Sequence, residues 1–250
     1  MSFEACAQIV QNGDPDRFLA TMAAPVAARR VLFPIYAFNV EVARAPWASE
    51  EPLIAEMRLQ WWADVLDEIA SDKPVRRHEV TDALADVLDG ESARMLIECV
   101  DARRSEARRE TFQTRDALSD YLDQTGGALH AAATHALGVQ GAGDHARSVG
   151  SALGLANYLL GVPAFLTRNH NPLPPMSEAE FSQLLSDGLN RLKSRASGTK
   201  RPARAVDLAA WRAKGILSRA QRDQAAIIEG RLGGAEFSRR AGLLWQSFRL

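Results

Sequence analysis

The chain has 250 residues, long enough to bury a sizeable hydrophobic core as one large helical domain or two small ones. Hydrophobic residues make up 46% and charged residues 24%, a composition that excludes a disordered, fibrous or low-complexity chain. Cys6 and Cys99 lie far apart and outside any Cys-x-x-Cys pair, so we expect no zinc site, no disulfide framework and a reducing compartment. Residues 1–18 lack a secretory-signal pattern, which predicts a cytoplasmic protein.

Charge is distributed unevenly along the chain, although the net charge is only −1. Residues 41–101 carry 15 acidic and 6 basic side chains, whereas residues 191–222 carry 10 basic and 1 acidic. The basic segment suggests an anionic partner, such as lipid headgroups or an acidic protein surface; alternatively, the two segments face each other or are solvated. No nucleic acid partner is expected, because the basic segment has Trp211 as its single aromatic residue and no binding motif.

Apolar residues recur at helical spacing through most of the chain, and strand-like alternation is nearly absent. In chain order, helices are predicted over 26–46, 50–70, 76–89, 91–109, 115–138, 145–166, 177–193, 203–229 and 235–248. In the second of these helices a four-residue spacing predicts one buried stripe. Its members are Leu53, Ile54, Met57, Trp61, Trp62, Val65, Leu66 and Ile69.

The helix predicted over 115–138 contains the pair Gly126 and Gly127. Each glycine lowers helix stability by about 1 kcal/mol relative to alanine, so we expect either close packing or a bend there. Gly138 is predicted to end this helix. The face predicted to be buried consists of Leu118, Tyr121, Leu122, Thr125, Ala128, Leu129 and Ala132.

Residues 148–167 carry no charge and contain a Gly-x-x-x-Gly pair, as some membrane-spanning helices do. Asn157, Pro163 and modest hydropathy favour a helix buried inside a bundle instead. Exposed loops are predicted over 168–177 and 197–202. The helix predicted over 235–248 is either the last helix of the bundle or an amphipathic segment on an anionic bilayer.

Two short sequences in the first third of the chain are Tyr36-Ala37-Phe38 and Arg58-Leu59-Gln60-Trp61-Trp62. They resemble the Tyr-Ala-Phe and Arg-Leu-x-x-Trp-Trp sequences of the squalene/phytoene synthase family, and two later segments add to this resemblance. Residues 110–138 resemble the segment with a family Tyr and Val-Ala-Gly, here Tyr121 and Gly127, and residues 151–161 resemble the helix that bears the second aspartate motif.

The resemblance is clearest over 17–190 and weak in the basic helical part over 191–250. It implies an all-α fold, an isoprenoid synthase-like helical bundle that forms a single domain over 1–250.

Enzymes of this family bind Mg²⁺ through two Asp-x-x-x-Asp motifs on facing helices, and the metal neutralises the departing diphosphate. The matching positions in this chain are Ala43, Trp47, Gly161 and Phe165. None of these side chains coordinates a metal, and the Trp and the Phe would fill space that metal and diphosphate need. The resemblance therefore predicts that Mg²⁺ binding is lost, that no other metal is bound and that there are no catalytic residues.

Glu41 and Asn157 remain near these positions as oxygen ligands, but two oxygens do not rebuild the metal site. Arg44 either binds a phosphate or carboxylate or forms an ion pair with Glu41 or another acidic residue. A residual apolar pocket for a lipid, isoprenoid or quinone tail is one hypothesis, and a plain core plugged by aromatic residues is the other. The pocket hypothesis comprises Tyr36, Phe38, Asn39, Glu41, Arg44, Arg58, Trp61, Trp62, Tyr121, Gly127, Asn157 and Tyr158.

Residues 37–43 and 57–62 resemble more closely a branch of the family that consists of mitochondrial complex I assembly factors. That branch also lacks the aspartates and is associated peripherally with the inner membrane. The resemblance implies a non-catalytic protein whose partner is a complex I subunit or an assembly intermediate, in the cytoplasm or peripherally at the inner face of the cytoplasmic membrane. Two alternatives are an active prenyl-diphosphate transferase of unusual mechanism and a protein that only binds isoprenoid or quinone tails.

Overall fold

The structure is a computed structural model that describes residues 2–193 and 201–234, and every regular element in these ranges is helical. The α-helices are α1 (Ser2–Gly13), α2 (Pro15–Ala23), α3 (Val26–Arg44), α4 (Pro52–Ala70), α5 (Thr81–Ala85), α6 (Gly90–Ala102), α7 (Arg104–Ala107), α8 (Arg115–Leu122), α9 (Ala128–Ala136), α10 (Gly143–Leu166), α11 (Glu178–Lys193), α12 (Arg201–Asp207), α13 (Ala213–Arg222) and α14 (Ala225–Ile228). Short 3-10 turns occupy Ala45–Trp47, Leu208–Ala210 and Arg231–Gly233, and a π-helical turn occupies Asp123–Gly127. The all-α prediction is confirmed.

The core runs through the described part of the bundle, and α10 contributes a long row of buried side chains to it. This helix packs against the π turn, α9, α11 and α13. It is long and apolar enough to cross a membrane by length and composition alone. Its buried side chains, among them Leu153, Leu155 and Leu159, instead fill the space between neighbouring helices, as predicted for a core helix.

Four predicted helices are confirmed: α3, α4, α10 and α11 match the helices predicted over 26–46, 50–70, 145–166 and 177–193. The prediction over 76–89 is wrong for most of its residues, because only α5 is helical there. The backbone N–H and guanidinium of Arg76 both bind the Glu68 carboxylate, which ties this segment to α4 in a non-helical conformation.

Three further stretches depart from the sequence prediction. The helix predicted over 203–229 is divided into α12, α13 and α14, with Asp223 in an extended conformation between the last two. The helix predicted over 91–109 is interrupted after α6, and Arg109 adopts a left-handed conformation with φ of 58°. Arg201 and Pro202, predicted as loop, begin α12, whereas residues 197–200 and the helix predicted over 235–248 lie outside the described residues.

The predicted buried stripe of α4 is wrong in its first half. Leu53, Ile54 and Met57 are exposed to 70%, 38% and 65%. An α-helix has about 3.6 residues per turn, so residues four apart drift by roughly 40° per step and leave the buried face after a few steps. The side chains that α4 buries are Ala55, Leu59, Trp62, Val65 and Leu66.

The glycine pair produces both a change in helix geometry and a close helix contact. The chain forms the π turn between α8 and α9, and a Cβ atom on Gly126 would lie 2.5 Å from the carbonyl oxygen of Gly150 in α10. Gly138, with φ of 75°, follows α9 and confirms the predicted end. All seven residues predicted to form the buried face of this region are buried.

Replacing Gly126 by alanine is expected to lower the free energy of unfolding by about 1–3 kcal/mol, because the new Cβ meets backbone that can only move with α10. Urea denaturation monitored by circular dichroism measures this change. Gly215→Ala in α13 is the control, since a Cβ atom added there would have no neighbour within 4 Å, and it is expected to stabilise by up to about 1 kcal/mol. Equal effects at the two sites would contradict the close contact.

Burial raises the pKa of both Cys6 and Cys99 to about 12. Because the thiolate is the reactive form, neither cysteine is expected to react with iodoacetamide in the folded protein at mildly alkaline pH, whereas both react in denaturant. Mass spectrometry of the alkylated protein checks this expectation. Rapid modification of either thiol under native conditions would show that its burial is incomplete.

Candidate functional site

A cavity of about 430 Å³ lies between α3, α10 and the π turn. The start of α2 and the junction between α6 and α7 contribute further walls. Its charged lining residues are Asp14, Arg17, Arg44, Arg103 and Glu106. Apolar and aromatic side chains from the surrounding helices form much of the remaining wall.

All four positions that match the family's aspartates line this cavity. Ala43 and Gly161 lie on α3 and α10, Trp47 follows α3, and Phe165 lies in the last turn of α10. The Trp47 and Phe165 rings pack with their centroids 5.4 Å apart. An aromatic contact therefore joins the two helices at the positions where two of the family's carboxylates would stand.

The carboxylate of Glu106 is buried at the cavity wall and accepts hydrogen bonds from three side chains. Arg103 Nη1 lies 3.1 Å from Oε1, the hydroxyl of Tyr121 donates to the same oxygen, and Trp47 Nε1 lies 3.0 Å from Oε2. Burial and the neighbouring Glu106 charge raise the pKa of Tyr121 well above its usual value, so this phenol remains a donor. Arg103 Nη2 also lies 3.4 Å from Asn39 Oδ1.

Two arginines lie over the indole of Trp47. The guanidinium carbon of Arg109 is 4.2 Å and that of Arg168 is 5.0 Å from the ring centroid. His170 contacts the same indole, and burial together with the nearby Arg109 charge lowers the pKa of this histidine. Two guanidinium groups therefore lie beside this wall of the cavity, close to the Glu106 carboxylate.

Five of the residues predicted for a residual pocket line the cavity: Asn39, Arg44, Tyr121, Asn157 and Tyr158. Burial and the charge of Glu106 raise the pKa of Tyr158, whose hydroxyl donates to the carbonyl oxygen of Pro172 at 2.7 Å. Arg44 also lies 3.9 Å from Glu41, which is the ion pair expected from the sequence.

The other predicted pocket residues lie outside the cavity lining. They are Tyr36, Phe38, Glu41, Arg58, Trp61, Trp62 and Gly127. Phe38 and Trp62 pack edge to face in the core with centroids 5.4 Å apart, and Arg58 is exposed. The α3 side chains that line the cavity, Asn39, Val40, Ala43 and Arg44, lie on one side of the helix, so Phe38 and Glu41 point elsewhere.

Sequence reasoning missed four charged residues of the cavity. Asp14 caps the start of α2 and pairs with Arg17, and Arg103 pairs with Glu106 three residues later. The sequence does show that Asp14-Pro15 is typical of a helix N-terminus. It also shows that Asp14 and Arg17, and likewise Arg103 and Glu106, are opposite charges three residues apart. Only the fold shows that both pairs reach the same cavity.

A Mg²⁺ site does not fit these residues. Magnesium takes oxygen ligands, usually carboxylates, in near-octahedral geometry. The two carboxylates that line the cavity, Asp14 and Glu106, are each committed to an arginine. Within residues 2–193 and 201–234, no three His, Cys, Asp or Glu side chains cluster closely enough to hold a metal ion.

Residues 10–235 match the family model for squalene/phytoene synthase, and the chain belongs to that family. It is 27% identical over 183 residues to NADH dehydrogenase (ubiquinone) complex I, assembly factor 6 from Bos taurus, and 29% identical over 207 residues to the homolog from Drosophila melanogaster. These alignments cover 68% and 78% of this chain but 52% and 60% of the relatives. The chain thus spans little more than half the length of these relatives.

Two solved structures share the fold. A dehydrosqualene synthase in complex with ligand superimposes with a TM-score of 0.75 at 16% identity, covering 99% of this chain and 96% of that chain. Squalene synthase HpnC from Alicyclobacillus acidocaldarius gives 0.67 at 15% identity, covering 88% and 93%. The predicted isoprenoid synthase-like bundle is confirmed.

Glu106→Gln is expected to lower the free energy of unfolding by about 3 kcal/mol, because it leaves the buried Arg103 without its counter-charge. Guanidinium chloride denaturation measures the difference. Glu110→Gln is the control, since Glu110 is exposed and lies 3.8 Å from Arg108, and it should change stability by less than about 1 kcal/mol. A similarly small change in the free energy of unfolding for both variants would contradict a buried ion pair between Arg103 and Glu106.

Proposed function

We propose that this chain is a non-catalytic member of the squalene/phytoene synthase family that assists the assembly of respiratory complex I through contact with a protein partner. The similarity of more than two thirds of the chain to complex I assembly factor 6 proteins carries this proposal. The partner is a complex I subunit or an assembly intermediate.

The chemistry of the cavity supports the non-catalytic part of the proposal. Loss of diphosphate from a prenyl substrate leaves a cation and a highly charged leaving group, which the family's enzymes neutralise with carboxylate-bound Mg²⁺. Here the matching positions hold Ala43, Trp47, Gly161 and Phe165, and the Trp47–Phe165 contact fills part of that space. The remaining carboxylates are paired with arginines, so nothing at this site assists the leaving group through a metal.

An exposed strip on α4 supports the protein contact. Leu53, Ile54 and Met57 are apolar and open to solvent on the first half of the helix. Adjacent exposed apolar side chains of this kind are typical of protein interfaces. We assign the strip to the complex I partner.

The basic part of the chain supports a peripheral position at the inner face of the cytoplasmic membrane. Arg191, Lys193, Lys214 and Arg222 are exposed on α11 and α13. Each basic side chain near an anionic bilayer contributes about 1 kcal/mol of attraction. This placement agrees with assembly of a membrane-bound complex.

Deleting the gene in its native host is expected to reduce the amount of assembled, active NADH:quinone oxidoreductase in the membranes, and the wild-type gene should restore it. Native gels and NADH oxidation by isolated membranes measure the enzyme. A Leu53→Ser/Met57→Ser double variant should restore it poorly, because the α4 strip has lost its apolar contacts.

Leu19→Ser/Val26→Ser is the matched control, since it removes two exposed apolar side chains from α2 and α3. It should restore the oxidoreductase fully if the α4 strip is the specific contact. Unchanged oxidoreductase in the deletion strain would contradict the assembly function itself. Equal restoration by both double variants would contradict only the assignment of the strip.

A further inference from the structure

Two buried guanidinium groups in the cavity wall have unused hydrogen-bond donors. The side chain of Arg17 is 9% exposed and that of Arg103 12% exposed, and the Nε atom of each has no hydrogen-bond partner among the described residues. Both residues line the cavity. Both Nε atoms are enclosed, and a buried donor left unpaired costs about 1–3 kcal/mol, more for a charged group. A small rotation of either guanidinium toward an acceptor oxygen in the cavity would therefore be favourable.

Neither carboxylate of the cavity can supply that oxygen. Asp14 already accepts from the backbone N–H and Nη1 of Arg17, and Glu106 accepts from Arg103, Tyr121 and Trp47. The two carboxylates are therefore already used, and the oxygen that meets these donors comes from a water molecule or from a ligand that displaces it.

The charge of the lining residues limits the charge of that ligand. Three arginines and two carboxylates line the cavity, and Arg44 also pairs with Glu41 outside the lining, so these groups nearly balance one another. Arg109 and Arg168 lie over Trp47 and add positive charge beside the cavity, and Arg168 forms no ion pair within the described part of the chain. An anion with a single negative charge therefore needs no metal ion to bind here, whereas a diphosphate carries several charges, and the carboxylates that would bring Mg²⁺ to neutralise them are missing.

The remaining wall suits an apolar chain. Leu122, Leu129, Leu160 and Phe165 line the cavity beside the arginines. Its volume of about 430 Å³ lies in the lower part of the usual range for small-molecule sites, which fits one slender ligand.

We infer that the cavity binds a single-chain amphiphile with one negative charge, a long-chain carboxylate, whose oxygens accept from Arg17 and Arg103 without a metal ion. This inference deepens the proposed function by naming the ligand class of the same cavity. Binding and complex I assembly are measured separately, so one can fail without the other.

Isothermal titration calorimetry with dodecanoate, in the presence of EDTA, tests this inference on the full chain. Dodecanoate should bind at least about tenfold more tightly than dodecanol, because only the carboxylate accepts charge-assisted hydrogen bonds. Farnesyl diphosphate should bind more weakly than dodecanoate, both in EDTA and in a separate titration with Mg²⁺ and no EDTA.

Two variants locate the site. Arg17→Lys keeps the positive charge beside Asp14 but removes the Nε donor, and it should weaken dodecanoate binding about tenfold or more without changing dodecanol binding. Gly161→Leu should weaken both ligands, because its side chain enters the cavity and its Cβ has only ordinary contact with Phe165 at 3.4 Å. Arg30→Lys, an exposed change outside the cavity, should leave both affinities unchanged, and circular dichroism checks that each variant is folded.

Three results would overturn the inference. Equal affinities for dodecanoate and dodecanol would show that the negative charge of the ligand does not contribute to binding. Unchanged dodecanoate binding by folded Arg17→Lys and Gly161→Leu would place the ligand elsewhere. Tighter, Mg²⁺-dependent binding of farnesyl diphosphate would restore the metal chemistry that the residues here do not fit.

Discussion

The indole of Trp47 connects the parts of the cavity on which the rest of the site depends. Its ring packs on Phe165 of α10, its N–H donates to the buried Glu106, and Arg109 and Arg168 lie over its faces. One residue at a family aspartate position thus joins these parts of the cavity by aromatic, hydrogen-bonded and cation–π contacts. Because Glu106 also binds Arg103 and Tyr121, these contacts reach the end of α6 and the end of α8.

Close backbone packing fixes the position of the π turn relative to α10. Gly126 in the π turn lies directly against Gly150 of α10, and Gly154 is also near it. A neighbouring clamp, in which Arg147 binds both Glu98 and Asp123, ties α10 to α6 and the π turn. The cavity therefore has a preformed wall, so a ligand need not organise it on binding.

Much of the fold is predictable from the sequence, and the failures have physical causes. Long periodic segments such as α3 and α10 can be identified because their apolar spacing is sustained. A helix is predicted over 76–89 because the composition of that stretch permits one. The Glu68 carboxylate instead binds the Arg76 guanidinium, and the segment around Arg76 is not helical. The exposure of Leu53 and Met57 follows from the drift of a four-residue spacing around a helix of about 3.6 residues per turn.

The site is less predictable than the fold. The motif positions at Ala43, Trp47, Gly161 and Phe165 meet at one cavity because α3 and α10 face each other there. Arg17 and Arg103 cannot be identified from the sequence, since ion pairs within one helix or turn are common on protein surfaces and only tertiary packing buries these two.

We propose that the cavity keeps the family's shape without its metal chemistry. The most direct test is to incubate the purified chain with farnesyl diphosphate and Mg²⁺ and to measure pyrophosphate release, with an active squalene synthase as the positive control. We expect no release above the uncatalysed background at any Mg²⁺ concentration. Sustained, Mg²⁺-dependent release that is lost in Glu106→Gln but kept in the exposed control Glu110→Gln would contradict it.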